Sequence, residues 1–262
     1  MKRFNFVYRF AVALCLLLVA TGECATATEY TPQSGQPGKD VVWVPAPQVL
    51  VDTMLDMANV TVSDYIIDLG SGDGRIVITA AKRGARAHGI EYNPDMVDLA
   101  RRAAAQEGVS AKATFEKADI FESDFSQATV LTLYLLPSLN LRLRPKILDM
   151  KPGTRVVSFS FDMEDWEPDQ TTALTEGTAH LWIVPAKVDG IWKLDEGQIS
   201  FAQEFQHIIG KLTTMGKDME FSGKLDGDKI SFTAGGREYT GTVSGDIISG
   251  THDGGGSWKA TR

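Results

Sequence analysis

Cysteine is almost missing from this chain: only Cys15 and Cys24 occur, and both fall in the first 27 residues. A chain cut after Ala27 would hold none. It would then need no disulfide, offer no thiolate nucleophile and build no cysteine metal cluster, so no metal is expected. Positive charge is also in deficit, since 26 Lys and Arg stand against 34 Asp and Glu for a formal net charge of -8. That argues against a general nucleic-acid binder, which presents a basic surface. An apolar run long enough for a confident membrane span is absent too, Phe10 to Ala20 being too short. What remains is 43% hydrophobic and 23% charged over 262 residues. This is a soluble globular composition, with room for one large domain or for an ordinary domain and a small one.

The first residues form a class of their own. Lys2, Arg3 and Arg9 precede the apolar run, and Ala25-Thr26-Ala27 is a small-x-small cleavage pattern. Residues 1–27 therefore read as a secretory signal, with an N-terminal anchor as the outcome if it stays uncut. Glu23 directly before Cys24 speaks against a lipoprotein site. The expected location is outside the cytoplasm, periplasmic or extracellular, with no stable transmembrane domain after cleavage. Residues 28–40 read as a linker, Thr31 to Lys39 being rich in Pro, Gly and Gln.

The chain is organised around Tyr65 to Arg75. An apolar run, Tyr65-Ile66-Ile67-Asp68-Leu69, suits a buried strand. Gly70, Gly72 and Gly74 break it, and Arg75 to Lys82 resumes as a helix. Such a turn lets backbone approach a ligand closely and aims free N–H groups at it. A dinucleotide fingerprint from Gly70 and Gly72 would require glycine at position 75, which is Arg75. Asp68 and Asp73 would repel a pyrophosphate. They suit a ligand carrying both an ammonium and a carboxylate, so S-adenosylmethionine is favoured over NAD.

Ahead of this stretch, Val41 to Pro47 is extended by its prolines, with Trp43 assigned to core packing, and Val49 to Ala58 has helical spacing. Beyond it, strands are expected at Ala85–Glu91, Ala113–Lys117, Val130–Leu135, Arg155–Phe161, Thr171–Thr175 and Ala179–Val184, the last two as a hairpin around Glu176-Gly177. Helices are expected from Pro94 to about Glu107 and from Pro137 to Met150. This alternation indicates a mostly parallel sheet with ligands at the carboxyl ends of its strands. Asp68, Glu91, Asp119 and Asp162 fall at or just after those ends. Glu91 is placed to bind both hydroxyls of a ribose, and Asp119, beside Ile120 and Phe121, to accept from an adenine amino group. The acidic, aromatic segment Phe161 to Asp169 could meet a cationic substrate such as a lysine side chain.

After Pro185 the periodicity changes. Phe221–Ser231 is echoed eighteen positions later by Tyr239–Ser249, each read as a hairpin turning at Asp226-Gly227 or Ser244-Gly245. Repeated hairpins make an antiparallel meander or small barrel, with Trp192 and Trp258 packing across its core. Its histidines, His207 and His252, are isolated, and no chemistry is expected there. A structural or partner-binding module is the preferred reading.

Asp68 to Arg75, Gly89-Ile90-Glu91 and Asp119-Ile120-Phe121 resemble the successive nucleoside-binding motifs of class I S-adenosylmethionine-dependent methyltransferases. Val44 to Pro47, Thr132 to Pro137, Leu143 to Lys146 and Lys151 to Arg155 resemble the small protein-lysine methyltransferases of the ATP synthase c-subunit type. The resemblance spans about Val41 to Pro185. It implies that Asp68, Gly70, Gly72, Asp73 and Gly74 hold the methionine part of the cofactor, Glu91 the ribose, and Asp119 with Ile120 the adenine. Pro45 would belong to a segment closing over it, and Tyr134 would line the methyl-transfer channel. Separately from the resemblance, the charge of Asp162 would help capture a lysine ammonium. The fold implied over 41–186 is α/β, a seven-stranded, mostly parallel Rossmann-like sheet; the antiparallel β-domain read over 187–262 and the secretory signal depart from the family pattern. The implied function is methyl transfer to a protein lysine. A small-molecule methyltransferase and a non-catalytic exported protein that keeps the fold are the alternatives.

Overall fold

The computed structural model describes residues 30–262, and the signal segment with its cleavage site and both cysteines lies outside them. Pro32 to Arg262 form one compact unit. Its first element, α1 (Gln48–Met57), buries Leu50, Val51, Met54 and Leu55 along one stripe, the spacing of an amphipathic helix. Then β1 (Tyr65–Leu69) leads through the glycine turn to α2 (Arg75–Lys82), β2 (Arg86–Glu91), α3 (Pro94–Gln106) and β3 (Ala113–Lys117). The alternation continues with β4 (Val130–Leu133), α4 (Pro137–Leu148) and β5 (Arg155–Phe159), and closes with β6 (Gln170–Leu174) and β7 (Gly177–Ile183).

These strands make a seven-stranded sheet in the order β3-β2-β1-β4-β5-β7-β6. From β3 to β5 every pairing is parallel, while β7 runs antiparallel to β5 and pairs with β6 as a hairpin. Helices cover both faces, as a parallel sheet requires. Ile66 packs with α1, α2 and α3, whereas Ile67 and Leu69 point the other way into a core that includes Leu143 and Ile147 of α4. Successive strand residues alternate faces, so Asp68 shares the face of Ile66.

Strand ends differ from expectation at two places that matter. β4 stops at Leu133, which leaves Tyr134 and Leu135 past the sheet, and β5 stops at Phe159 because Ser160 takes φ of 65°. That left-handed residue cannot continue a strand.

The C-terminal strands close into a barrel: β8 (Gly190–Leu194), β9 (Gly197–Glu204), β10 (His207–Thr214), β11 (Lys217–Asp226), β12 (Lys229–Ala234), β13 (Arg237–Ser244), β14 (Ile247–His252) and β15 (Ser257–Thr261). Neighbours are antiparallel, and β15 meets β8 at Thr261 and Lys193 to complete the ring. The repeated hairpins are present with a shifted turn. Gly227-Asp228 and Gly245-Asp246 are the turn pairs, with glycine first at φ of 58° and 57°, as a type II′ turn requires. Trp192 is fully buried in the barrel core, and Trp258 packs on Phe232 and Tyr239. No helix among the described residues is long and apolar enough to cross a membrane.

Candidate active site

Three carboxylates face one cleft from the carboxyl ends of β1, β2 and β3. The cleft encloses about 990 Å³ counting its open mouth, and Asp68, Glu91 and Asp119 all line it. β1 is straight and buried up to Leu69, which carries Asp68 into the protein at only 3% exposure. Its Oδ1 accepts from Thr132 Oγ1 of β4 at 2.7 Å. Burial pushes this carboxyl up to about 7, the charges of Glu91 and Asp73 add to the rise, and the Thr132 hydroxyl opposes it.

The glycine loop is fastened to β2. Gly70 and Ser71 both donate N–H to the carbonyl of Ile90, at 2.9 and 3.1 Å. Gly72 donates to Glu91 Oε2 at 2.9 Å, while Asn93 donates to Oε1 of the same carboxylate at 2.9 Å. Glu91 therefore faces the loop. Ser71 lines the cleft, but its Oγ is buried against Gly89 of β2 and has no hydrogen-bond partner among the described residues.

Asp119 ends the third arm. It pairs with Lys39 and accepts from the Phe121 amide at 3.0 Å, and the Lys39 bond is the main reason its carboxyl sits below the usual range. Lys39 also lies 5.0 Å above the ring of Tyr92. Residues 36–46 all line the cleft, so a stretch expected to be part linker forms one of its walls. Gly35 N–H donates to the Trp43 carbonyl and Trp43 N–H to the Gln36 carbonyl, which folds it back on itself. Trp43, expected in core packing, is a cleft residue instead: a Cβ on Gly72 would stand 2.5 Å from its Nε1. Arg75 holds the far end of this wall, with Nη1 on the carbonyl of Ala46 at 2.6 Å and Nη2 on Asp73 at 2.5 Å.

Of the residues singled out from sequence, Pro45, Asp68, Gly70, Gly72, Asp73, Glu91, Asp119, Ile120 and Tyr134 meet at this cleft. Gly74 and Asp162 do not. Gly74 sits behind it at φ of 81°, where a Cβ would be 2.6 Å from Phe115 and 2.8 Å from Ala100, so its glycine serves helix–sheet packing. Asp162 is exposed, and its carboxylate caps the amide of Glu164 at 3.2 Å. The turn at Ser160 carries it away. Tyr134 stands edge-on to Phe159 with centroids 4.8 Å apart, and burial raises its hydroxyl above the ordinary range. Lys39, Tyr92 and Leu139 line the cleft as well and carry no signal in the sequence. Polar or isolated in sequence, they reach the cleft only through tertiary folding. Among the described residues no cluster of His, Cys, Asp and Glu could hold a metal.

Comparison with known proteins agrees with this geometry. Residues 68–170 match the family model described as the ANTKMT methyltransferase domain. A protein-lysine N-methyltransferase of Saccharolobus islandicus is 40% identical over 151 residues, covering 55% of this chain and 94% of the relative. The ATP synthase c-subunit lysine N-methyltransferase of Homo sapiens is 38% identical over 122 residues, 46% of this chain and 52% of that protein. The chain thus spans about half the length of that human relative. A solved structure from Salinibacter ruber, described as an RNA methyltransferase in complex with S-adenosyl-L-homocysteine, is 50% identical with a TM-score of 0.54, covering 55% of this chain and 96% of that one. The family-model match ends at Gln170, ahead of the barrel strands.

Proposed function

The chain belongs to the ANTKMT methyltransferase-domain family, and on that premise we propose that it transfers a methyl group from S-adenosylmethionine to a lysine amine in a protein. The observation that carries this reading is the convergence of Asp68, Glu91 and Asp119 on one cleft beside the Gly70–Gly72 loop. The residues present fit that cofactor. Gly70 and Gly72, at φ of 83° and 53°, bring bare backbone to the cleft. Asp68 suits an ammonium, and Glu91 and Asp119 accept from hydroxyl and amino groups.

When bound, the cofactor supplies a methyl carbon activated by its sulfonium, so the protein mainly contributes alignment and exclusion of water. A lysine amine must be neutral to attack. Apolar cleft residues such as Leu135 and Leu139 would lower its pKa by desolvation. Tyr134 keeps its proton and forms part of the wall. No side chain of the cleft is placed as an obligatory base, and the amine's proton leaves to solvent.

A lysine acceptor is supported by the relatives named for lysine methylation. The Salinibacter ruber protein supports a second reading, an RNA acceptor. A net charge of -8 and the exposed acids after β5 oppose a phosphate backbone and favour a cation. We further propose export directed by residues 1–27, supported by the basic start, apolar run and Ala25-Thr26-Ala27. Cell fractionation of the full chain and of one lacking residues 1–27 tests it. For the chemistry, the purified protein is given methyl-labelled S-adenosylmethionine with a lysine-rich protein, total RNA or a metabolite extract. Label recovered as methyllysine is expected. Label confined to RNA or to metabolites would overturn the acceptor assignment.

A further inference from the structure

The barrel touches the methyltransferase sheet at an irregular loop, residues 160–169, which runs from β5 to β6. Apart from an isolated bridge between Met163 and Trp166 it has no regular structure. Its carbonyls are nevertheless held one by one from outside. Asn140 Nδ2 lies 3.2 Å from both the Phe161 and the Asp162 oxygen, and Arg144 Nη1 donates to Met163 at 2.8 Å. Trp182 Nε1 donates to Trp166 at 2.7 Å, and Gln206 Nε2 to Glu167 at 2.8 Å. Ser160 and Glu164 take φ of 65° and 55°. Non-glycine residues stay in that region only where the surroundings over-determine them.

Part of that determination comes from the barrel. Phe205 and Gln206 form the two-residue turn between β9 and β10. The Phe205 ring lies nearly parallel to that of Trp166, with centroids 6.0 Å apart and 16° between planes. Trp166 is fully buried and its Nε1 has no partner among the described residues, so packing against Phe205 and Trp182 fixes the ring. Arg144, which holds Met163, also stands 5.4 Å over the Phe205 ring, and Lys224 of β11 pairs with Asp169 at 2.8 Å. None of residues 160–169 lines the cleft itself, but the loop's other end adjoins residues that do. Phe159, just before it, meets Tyr134, and Asn140 follows the cleft residue Leu139.

We propose that the β9–β10 turn of the barrel braces loop 160–169, making Phe205 and Gln206 positioning residues for the acceptor side of the cleft. The barrel is then a support acting in cis on the enzyme it is fused to. The brace itself is independent of acceptor identity; only its consequence for turnover rests on the lysine reading.

The test uses the full chain and its Phe205→Ala, Gln206→Ala and Phe205→Tyr variants. Amide hydrogen exchange is followed by mass spectrometry, and methyl transfer is measured to poly-L-lysine. In Phe205→Ala the amides of 161–169 should exchange at least tenfold faster, while β11–β14 and the 68–75 loop stay unchanged. The KM for poly-L-lysine should rise at least fivefold, with kcat and S-adenosylhomocysteine affinity within about twofold. Gln206→Ala should show a smaller effect of the same kind, and Phe205→Tyr should retain the parent values. Unchanged loop exchange, or equal loosening of the barrel strands, would overturn the brace, as would a loosened loop with unmoved KM. If the parent protein binds S-adenosylhomocysteine but leaves poly-L-lysine unmethylated, the lysine reading fails and the exchange pattern alone decides the brace.

Discussion

Thr132 donates its hydroxyl proton to Asp68 at 2.7 Å across the β1–β4 pairing, and both side chains are almost entirely shielded from solvent. One hydroxyl does not compensate a buried negative charge, and Asp68 holds its proton up to about pH 7. A cationic group bound at Asp68 would favour the ionised form, so cofactor binding and loss of that proton are linked. We expect S-adenosylmethionine to bind about tenfold more weakly at pH 6 than at pH 8, as titration calorimetry would read. Asp68→Asn should weaken binding and remove most of that dependence. A flat pH profile for the parent protein would contradict the linkage.

The same carboxyl has a consequence for the free protein. The unfolded chain releases this proton near pH 4, whereas the native state keeps it to about 7. The contribution of Asp68 to stability is therefore present at low pH and is lost as pH rises between those values. Its ceiling is roughly 4 kcal/mol. Asp68→Asn should raise the melting temperature at pH 8 and change it little at pH 4.

Lys39 covers Asp119, the carboxylate assigned to the adenine, and both side chains are partly exposed. An exposed pair of this kind is weak and screened by solvent. Lys39→Met should speed cofactor association up to about fivefold by freeing Asp119. In an Asp119→Ala background the same change should do nothing, and stopped-flow tryptophan fluorescence can follow both.

Gly74 and Gly108 separate strain from crowding. Both have positive φ, 81° and 70°, but a Cβ on Gly74 would press on Phe115 and Ala100 whereas one on Gly108 meets nothing within 4 Å. Gly108→Ala should cost about 1 kcal/mol from backbone strain alone. Gly74→Ala should cost about 2–4 kcal/mol once overpacking is added. Thermal melts of the two variants check the ordering.

Much of this arrangement was legible in the residues. The glycine turn marked the end of β1, strand–helix alternation placed β2 and β4, and acids at or just after the strands' ends pointed to Asp68, Glu91 and Asp119. What escaped depends on tertiary context. Residues 36–39 are polar and Gly/Pro-containing, so nothing local marks them as a cleft wall. Asp226-Gly227-Asp228 and Ser244-Gly245-Asp246 each admit two turn registers, and pairing across β11–β14 selects the later one. Asp162 was placed by assuming that β5 continued to Phe161. Closure of the barrel rests on one pairing between distant strands, β8 and β15, which no local pattern announces.

The central claim is that Glu91 and Asp119, beside the Gly70–Gly72 loop, hold the nucleoside of S-adenosylmethionine. Titration calorimetry of S-adenosylhomocysteine into the full chain and into its Glu91→Ala, Asp119→Ala double variant tests it most directly. Saturable one-site binding to the parent is predicted, with at least hundredfold weaker binding to a double variant that still melts cooperatively, since two hydrogen-bonding carboxylates at about 1.5 kcal/mol or more each are lost. Equal affinity in the two proteins would contradict it.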